Sequence, residues 1–348
     1  MNKSRIAILF GGCSPEYEIS LQSAAAIIRH INTGKYEPVL IGINREGTWF
    51  LYKGDANSIE LDTWEKGNIM PVVMSTDRKR PGFLSLCDSD ALYIPADAVF
   101  PVLHGSNGED GTVQGMIMLS GIPVIGCNVL SSALCMDKAR AHALVSHTGI
   151  HVPDSFVAPE AASFLEISEH AAGLGFPLFV KPVRAGSSFG ITRITNAGEL
   201  QNALLTAFQY DTEAIVEKEI PGVEVGCAII GYEDLIIGEV DEIELDHGFF
   251  DYTEKYHLIT SKIHVPARIT DAKSSEIKQT AKTIYHTLGC SGFARVDMFL
   301  TPEGDIYFNE VNTIPGFTTH SRFPGMMRAA GYSFQDVVDQ IIEGGLQK

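Results

Sequence analysis

Residues 292–312 read GFARVDMFLTPEGDIYFNEVN, two alternating stretches around a short polar turn. Taking Glu303-Gly304 as a two-residue turn pairs Asp297 with Glu310 and Arg295 with Asn312. The period of two along a strand then puts these four side chains on one face, and turns Val296, Met298 and Leu300 toward a core. Directly opposed carboxylates have Cβ atoms only about 5 Å apart and repel unless a proton or a cation intervenes. Two carboxylates and an amide oxygen form a hard donor set of the kind Mg²⁺ accepts when phosphates complete its shell. The competing reading is an acidic hairpin in solvent.

Three glycine-bearing segments lie upstream. KPVRAGSSFG (181–190) follows an apolar run and offers a phosphate cradle of backbone N–H groups, although no GK[ST] follows it. Lys181, with Lys138 in CMDKAR, supplies cations for phosphate oxygens. HGSNGEDGTVQG (104–115) lets backbone approach a ligand closely; His104, Glu109 and Asp110 are either site residues or turn formers. In GGCSPEYEIS (11–20), Ser14 is an expected N-cap with Pro15 in the first turn. Glu16 then sits at the positive end of a helix, there to receive an ammonium group or simply to improve the cap. GxGxxG is absent, which disfavours a dinucleotide dehydrogenase.

The chain of 348 residues carries 26 Lys+Arg against 43 Asp+Glu, a net charge of −17, which excludes a broad surface for nucleic acid or anionic membrane. At about 150 residues per domain its length suggests two or three domains. Cysteines 13, 87, 127, 135, 227 and 290 have no CxxC spacing and read as reduced residues of a cytoplasmic protein. The uncharged stretch 111–136 is broken by Gly121, Pro123 and Gly126 into two short elements rather than a membrane span. Strand-length runs at 6–10, 36–43 and 98–102 with a helical pattern at 21–31 imply βαβ units and a parallel sheet. One helix is expected from about 127 to Gly149. His142, His147 and His151 do not share a helix face, so no zinc site is expected.

Together these motifs, with VEKEIPGVEVG, the EKY loop and NEVNTIPGFTTHSRFP, resemble the D-alanine:D-alanine ligase family of ATP-grasp enzymes along nearly the whole chain, most closely its D-alanine:D-serine branch. The resemblance implies an α/β (α+β) fold of three domains: 1–126 binding the first D-alanine, 127–216, and 217–348 with the metal site, ATP lying between the last two. It implies that Glu16 holds the first D-alanine's ammonium in a triad with Ser187 and Tyr256, near His104. Lys138, Lys181 and Lys255 would meet ATP phosphates, with Ser188 in the same loop. Glu217, Lys218, Ile220 and Glu224 would take adenine and ribose, Asn309 would join the nucleotide site, and Phe179 and Phe308 would flank the base. Asp297, Glu310 and Asn312 would bind two Mg²⁺ ions, with Mn²⁺ as an alternative, in agreement with the hairpin argument.

The resemblance further implies that Arg295 and the Gly316 N–H would stabilise an oxyanion and that Ser321 would meet the second substrate's carboxylate. Arg322, where simple D-alanine ligases usually carry an apolar residue, joins Asp241 and Phe250 at positions associated with D-serine. D-Alanine is the alternative second substrate. D-Lactate ligases also carry SR here but lose the Lys-Tyr pair that this chain keeps as Lys255-Tyr256, beside His257. A cytoplasmic homodimer acting on D-alanine and D-serine, binding neither nucleic acid nor membrane, is the expectation.

Overall fold

The computed structural model describes residues 3–85, 92–244, 262–318 and 320–347. Seven strands build the first sheet: β1 (Ser4–Gly11), β2 (Tyr36–Ile43), β3 (Trp49–Tyr52), β4 (Ile69–Met74), β5 (Gly82–Ser85), β6 (Tyr93–Pro95) and β7 (Ala98–Pro101). Their order is β6-β5-β4-β3-β2-β1-β7. Only β2, β1 and β7 are parallel: a helix carries the chain from β1 to β2, and β7 adds to the other edge of β1 after the antiparallel run β3 to β6. The sheet is therefore mixed, not the parallel one expected. Between β1 and β2 runs α1 (Tyr17–His30), and α2 (Ala56–Glu60) packs against it.

The stretch 111–136 holds α3 (Thr112–Ser120) and α4 (Val129–Met136), the two short elements expected. The single helix expected to reach Gly149 is instead broken. Asp137 ends α4 in extended geometry and caps α5 (Lys138–Ser146) by accepting from the Arg140 N–H at 2.9 Å. An Asp that can cap competes with helix continuation.

A four-stranded antiparallel sheet follows: β8 (Ser155–Pro159), β9 (Leu178–Pro182), β10 (Thr192–Ile194) and β11 (Glu213–Lys218), in the order β10-β9-β11-β8, covered by α6 (Phe164–Leu174) and α7 (Leu200–Ala207). Strand β11 runs two residues past 216, so Glu217 and Lys218 stay with this sheet. The third sheet contains β12 (Val223–Gly231), β13 (Leu235–Ile237), β14 (Asp241–Glu244), β15 (Lys262–His264), β16 (Gly292–Leu300) and β17 (Ile306–Asn312). It is ordered β15-β14-β12-β16-β17, with β13 paired to β12. Helix α8 (Asp271–Thr287) covers it, and α9 (Arg322–Ala329) and α10 (Phe334–Leu346) follow.

The chain's end returns to its beginning. One apolar core joins Ile6, Phe10, Leu21, Ile27 and Phe100 to Phe293, Phe317, Phe323, Val338 and Ile342. At the rim Asp339 accepts from Asn32 and, at 3.1 Å, from Lys35, while Glu343 accepts from Lys35 at 2.7 Å. No helix among the described residues is long and apolar enough to cross a membrane.

Candidate active site

The hairpin places Arg295 opposite Asn312 and Asp297 opposite Glu310, the pairing expected, but by another route. The turn is one residue longer than expected: Thr301 and Asp305 close a loop of residues 302–304, with Gly304 at φ +95°. A β-bulge in β17, which leaves Asn309 without an opposite residue, restores the register at the site. Val296, Met298 and Leu300 point into the core as expected. The other face is buried too: Asp297 is 1% exposed, which excludes the acidic hairpin in solvent.

Buried carboxylates need partners, and Asp297 has three. Arg295 donates Nε and Nη2 to it at 2.8 and 2.6 Å, Asn312 donates Nδ2 at 2.9 Å, and Arg322 Nη1 lies 3.4 Å away. Glu310 lies 3.9 Å from Lys138, and Lys138 donates to the Ala185 carbonyl at 2.6 Å, tying α5 to the glycine loop. The donor chemistry of Asp297, Glu310 and Asn312 fits Mg²⁺. Among the described residues no three acidic, His or Cys side chains form a complete cage, so an ion here would draw its remaining ligands from phosphate and water.

On the nucleotide side, Lys181 and Glu217, both buried, form an ion pair at the centre of the four-stranded sheet. The Glu217 Oε2 atom is buried with no hydrogen-bond partner, which suits an N–H donor of a base. Lys181 also lies 5.5 Å from the ring centroid of Phe179. Lys218 is exposed and Ile220 half-buried nearby. Phe308 has no exposed surface: its ring belongs to the core beneath β17, edge-on to His142 at 5.4 Å. His142 in turn bonds the carbonyl of Asn309 at 2.8 Å. His151 stacks on Tyr307, and His147 stays exposed, so the three histidines do not gather.

Glu16 is buried at the opposite wall. Ser14 does not cap α1. Its hydroxyl donates to the His104 carbonyl at 2.6 Å and accepts from the Glu16 N–H, which leaves Glu16 itself as the N-cap residue. Ser187 donates to Glu16, joining the first glycine loop to the third. Ser187 and Ser188 both take left-handed backbone, at φ +48° and +59°, strain of the kind held at functional loops. Gly105, at φ +70°, could carry no Cβ, because Glu16 Oε2 occupies that space.

Glu109, left ambiguous by the sequence, sits among these loops and is more than a turn former. It accepts from the Gly105 and Ile314 N–H groups, each at 3.0 Å, and so bridges the two ends of the chain. Burial and then the charge of Glu16 push its carboxyl above the ordinary range. His104 is buried and its pKa falls to about 4 by desolvation, so it is neutral.

Acid stability should report this. Below about pH 6.5 the unfolded chain binds a proton that folded His104 refuses until about pH 4, so this residue costs at most about 3 kcal/mol as pH falls through that window. Urea unfolding at pH 7 and 5 should show a smaller acid loss in His104→Gln than in the parent; equal losses would contradict it.

Near the second substrate's expected place, Arg322 is buried and bonded through all three of its nitrogens. Its Nε and Nη2 donate to Asp241 at 2.7 and 2.8 Å, and Nη1 donates to Glu224 at 2.6 Å. Burial works against that charge, yet Asp241, Asp297 and Glu224 hold its pKa well above the ordinary value. Gly226 lies beneath this pair, since a Cβ there would strike Arg322 Nη2. Ser321 stands at the N-cap position of α9 without a side-chain cap bond; its hydroxyl instead accepts from the Thr318 N–H at 3.0 Å, against Gly316. Phe250, Lys255, Tyr256 and His257 lie outside the described residues.

Residues 5–127 match the family model described as D-ala D-ala ligase N-terminus, and residues 144–343 the one described as D-ala D-ala ligase C-terminus. The vancomycin B-type resistance protein VanB of Enterococcus faecalis is 44% identical over the whole of both chains. The vancomycin C-type resistance protein VanC1 of Enterococcus gallinarum is 44% identical over 97% of each. The crystal structure of the VanG D-Ala:D-Ser ligase from Enterococcus faecalis is 55% identical, with a TM-score of 0.92, covering 98% of this chain and 99% of that one.

Proposed function

The chain belongs to the D-alanine–D-alanine ligase family, ATP-dependent enzymes of the ATP-grasp fold, and on that premise we propose that it joins D-alanine to D-serine through a D-alanyl phosphate. The dipeptide would enter a peptidoglycan precursor with low affinity for vancomycin.

A carboxylate is a poor acyl donor, so the γ-phosphoryl group of ATP is first transferred to the carboxylate of D-alanine, giving an acyl phosphate and ADP. Glu16, held by Ser187, receives the ammonium of that D-alanine and orients it. Lys138 and Lys181 face the phosphates, and the strained Ser187–Ser188 loop closes over them. Asp297, Glu310 and Asn312 would hold Mg²⁺, two ions in our assignment, and the metal would supply positive charge against the transferring phosphoryl group.

The amine of the second substrate then attacks the acyl carbon and displaces phosphate. Arg295 spends Nε and Nη2 on Asp297, leaving Nη1 for the tetrahedral oxyanion beside the Gly316 N–H. Ser321 receives the second carboxylate.

The observation that carries the D-serine reading is the Arg322–Asp241 pair. With its donors engaged, Arg322 acts through its neighbours rather than directly: it fixes a buried carboxylate that can accept from a serine hydroxyl. D-Alanine offers no such donor. The similarity to the VanG D-Ala:D-Ser ligase structure supports the same choice.

The test is ADP release with ATP, Mg²⁺ and D-alanine, alone and with D-serine or D-lactate, and product identification by mass. D-Alanyl-D-serine should predominate. D-Alanyl-D-alanine as the sole product would leave ligase chemistry intact and remove the D-serine assignment.

A further inference from the structure

Helix α1 does more than present Glu16. Ser23 lies seven residues later, two turns on and on the same face, and it is completely buried. Its hydroxyl accepts from the Phe317 N–H at 3.1 Å and lies 3.3 Å from Nε2 of His104. With His104 neutral, we assign the Ser23 O–H as the donor to Nε2, which puts the ring proton on Nδ1.

The consequence appears in the amides of the loop after β17. The Ile314 N–H is taken by Glu109, residue 315 is proline and has none, the Phe317 N–H is taken by Ser23, and the Thr318 N–H by Ser321. Gly316 is left as the one N–H in this run without an acceptor among the described residues, pinned on both sides.

We propose that Ser23 is a positioning residue for peptide-bond formation: held between His104 and Phe317, it fixes the loop so that the Gly316 N–H faces the acyl carbon under attack. This rests on the ligase reading above. One helix then sets both reactive ends, Glu16 orienting the acyl donor and Ser23 the group that stabilises its oxyanion. A displacement of about 1 Å at such a donor is worth up to about a hundredfold in rate.

Ser23→Ala should fold, since Ser14 still holds the His104 carbonyl, and Ser20 still accepts from the Gly11 N–H and donates to the Val102 carbonyl. Dipeptide kcat should fall about tenfold or more while KM for ATP stays within about twofold, because the phosphate subsites are untouched. ADP release should exceed dipeptide formation, because the acyl phosphate waits longer for attack and water intercepts it. In isotope-labelled protein the His104 ring nitrogens, identified with His104→Gln, should leave the pure Nδ1–H tautomer. Ser23→Cys, which keeps a weak acceptor of similar size, should fall between parent and Ser23→Ala, and it carries the test if Ser23→Ala does not fold.

ADP and dipeptide remaining one to one, with unmoved ring signals and equal losses toward all substrates, would overturn the positioning role. A parent protein that makes no dipeptide at all would overturn the ligase reading, and this proposal with it.

Discussion

Asp297→Asn should lower Mg²⁺-dependent ADP release by roughly a thousandfold or more, the scale of several kcal/mol of lost charge stabilisation. Two effects add. The substitution removes a carboxylate from the proposed ion set, and it removes the anion that Arg295 grips by two N–H groups and that Arg322 approaches at 3.4 Å. Asn is nearly isosteric, so packing against Met298 and the core is kept. The two buried guanidinium groups would then face each other across a neutral amide, and Arg295 would lose the bonds that aim Nη1. Steady-state ADP release across a Mg²⁺ titration measures this. Full turnover at ordinary Mg²⁺ would remove Asp297 from the site.

Arg322→Leu should be costly in two separable ways. Three carboxylates, Asp241, Glu224 and Asp297, lose a shared counter-ion in a buried place, and breaking such a pair by removing one partner typically costs about 3–5 kcal/mol. Chemical denaturation should show that loss. Replacing Asp241 by Asn in the same chain should recover part of it, because one stranded charge is neutralised. The substrate effect follows from orientation: once Asp241 is no longer fixed, preference for D-serine over D-alanine should fall by about tenfold or more, the scale of one well-made hydrogen bond. Arg322→Lys keeps the charge but not the fork, and should lose the preference with a smaller loss of stability. A stable Arg322→Leu protein with an unchanged serine-to-alanine ratio would sink this account of specificity.

What was legible in the sequence, and what was not, follows the range of each interaction. Alternation along 292–312 pointed to the right pair, Asp297 opposite Glu310, only because a longer turn and a bulge offset each other. The longer turn and the bulge that offsets it were not legible, because their extra residues cancel in the pairing and nothing in the local pattern marks Asn309 as the residue left over. Asp137 signals a helix start as clearly as a helix interior residue with charge, and only the extended backbone there decides between them. The mixed first sheet escaped because β3 to β6 are short and their direction depends on connections rather than on composition. Ser23 looks like any small residue of a buried helix face, and its two partners are 81 and 294 residues away. Arg322 was legible as unusual, but its engagement with three carboxylates from three strands was not.

The core that unites the first strand with the last helix bears on how the protein comes into being. During synthesis the N-terminal sheet and α1 emerge first, yet Ile6, Phe10, Leu21 and Ile27 share their core with Phe317, Phe323, Val338 and Ile342. That apolar face stays uncovered until residues 317–342 leave the ribosome, a delay of tens of seconds at ordinary elongation rates. A chain cut short before α10 would be left with a greasy, unpaired flank and no anchor for Lys35. Premature termination near the end of the message should therefore yield an insoluble product rather than a partly active one.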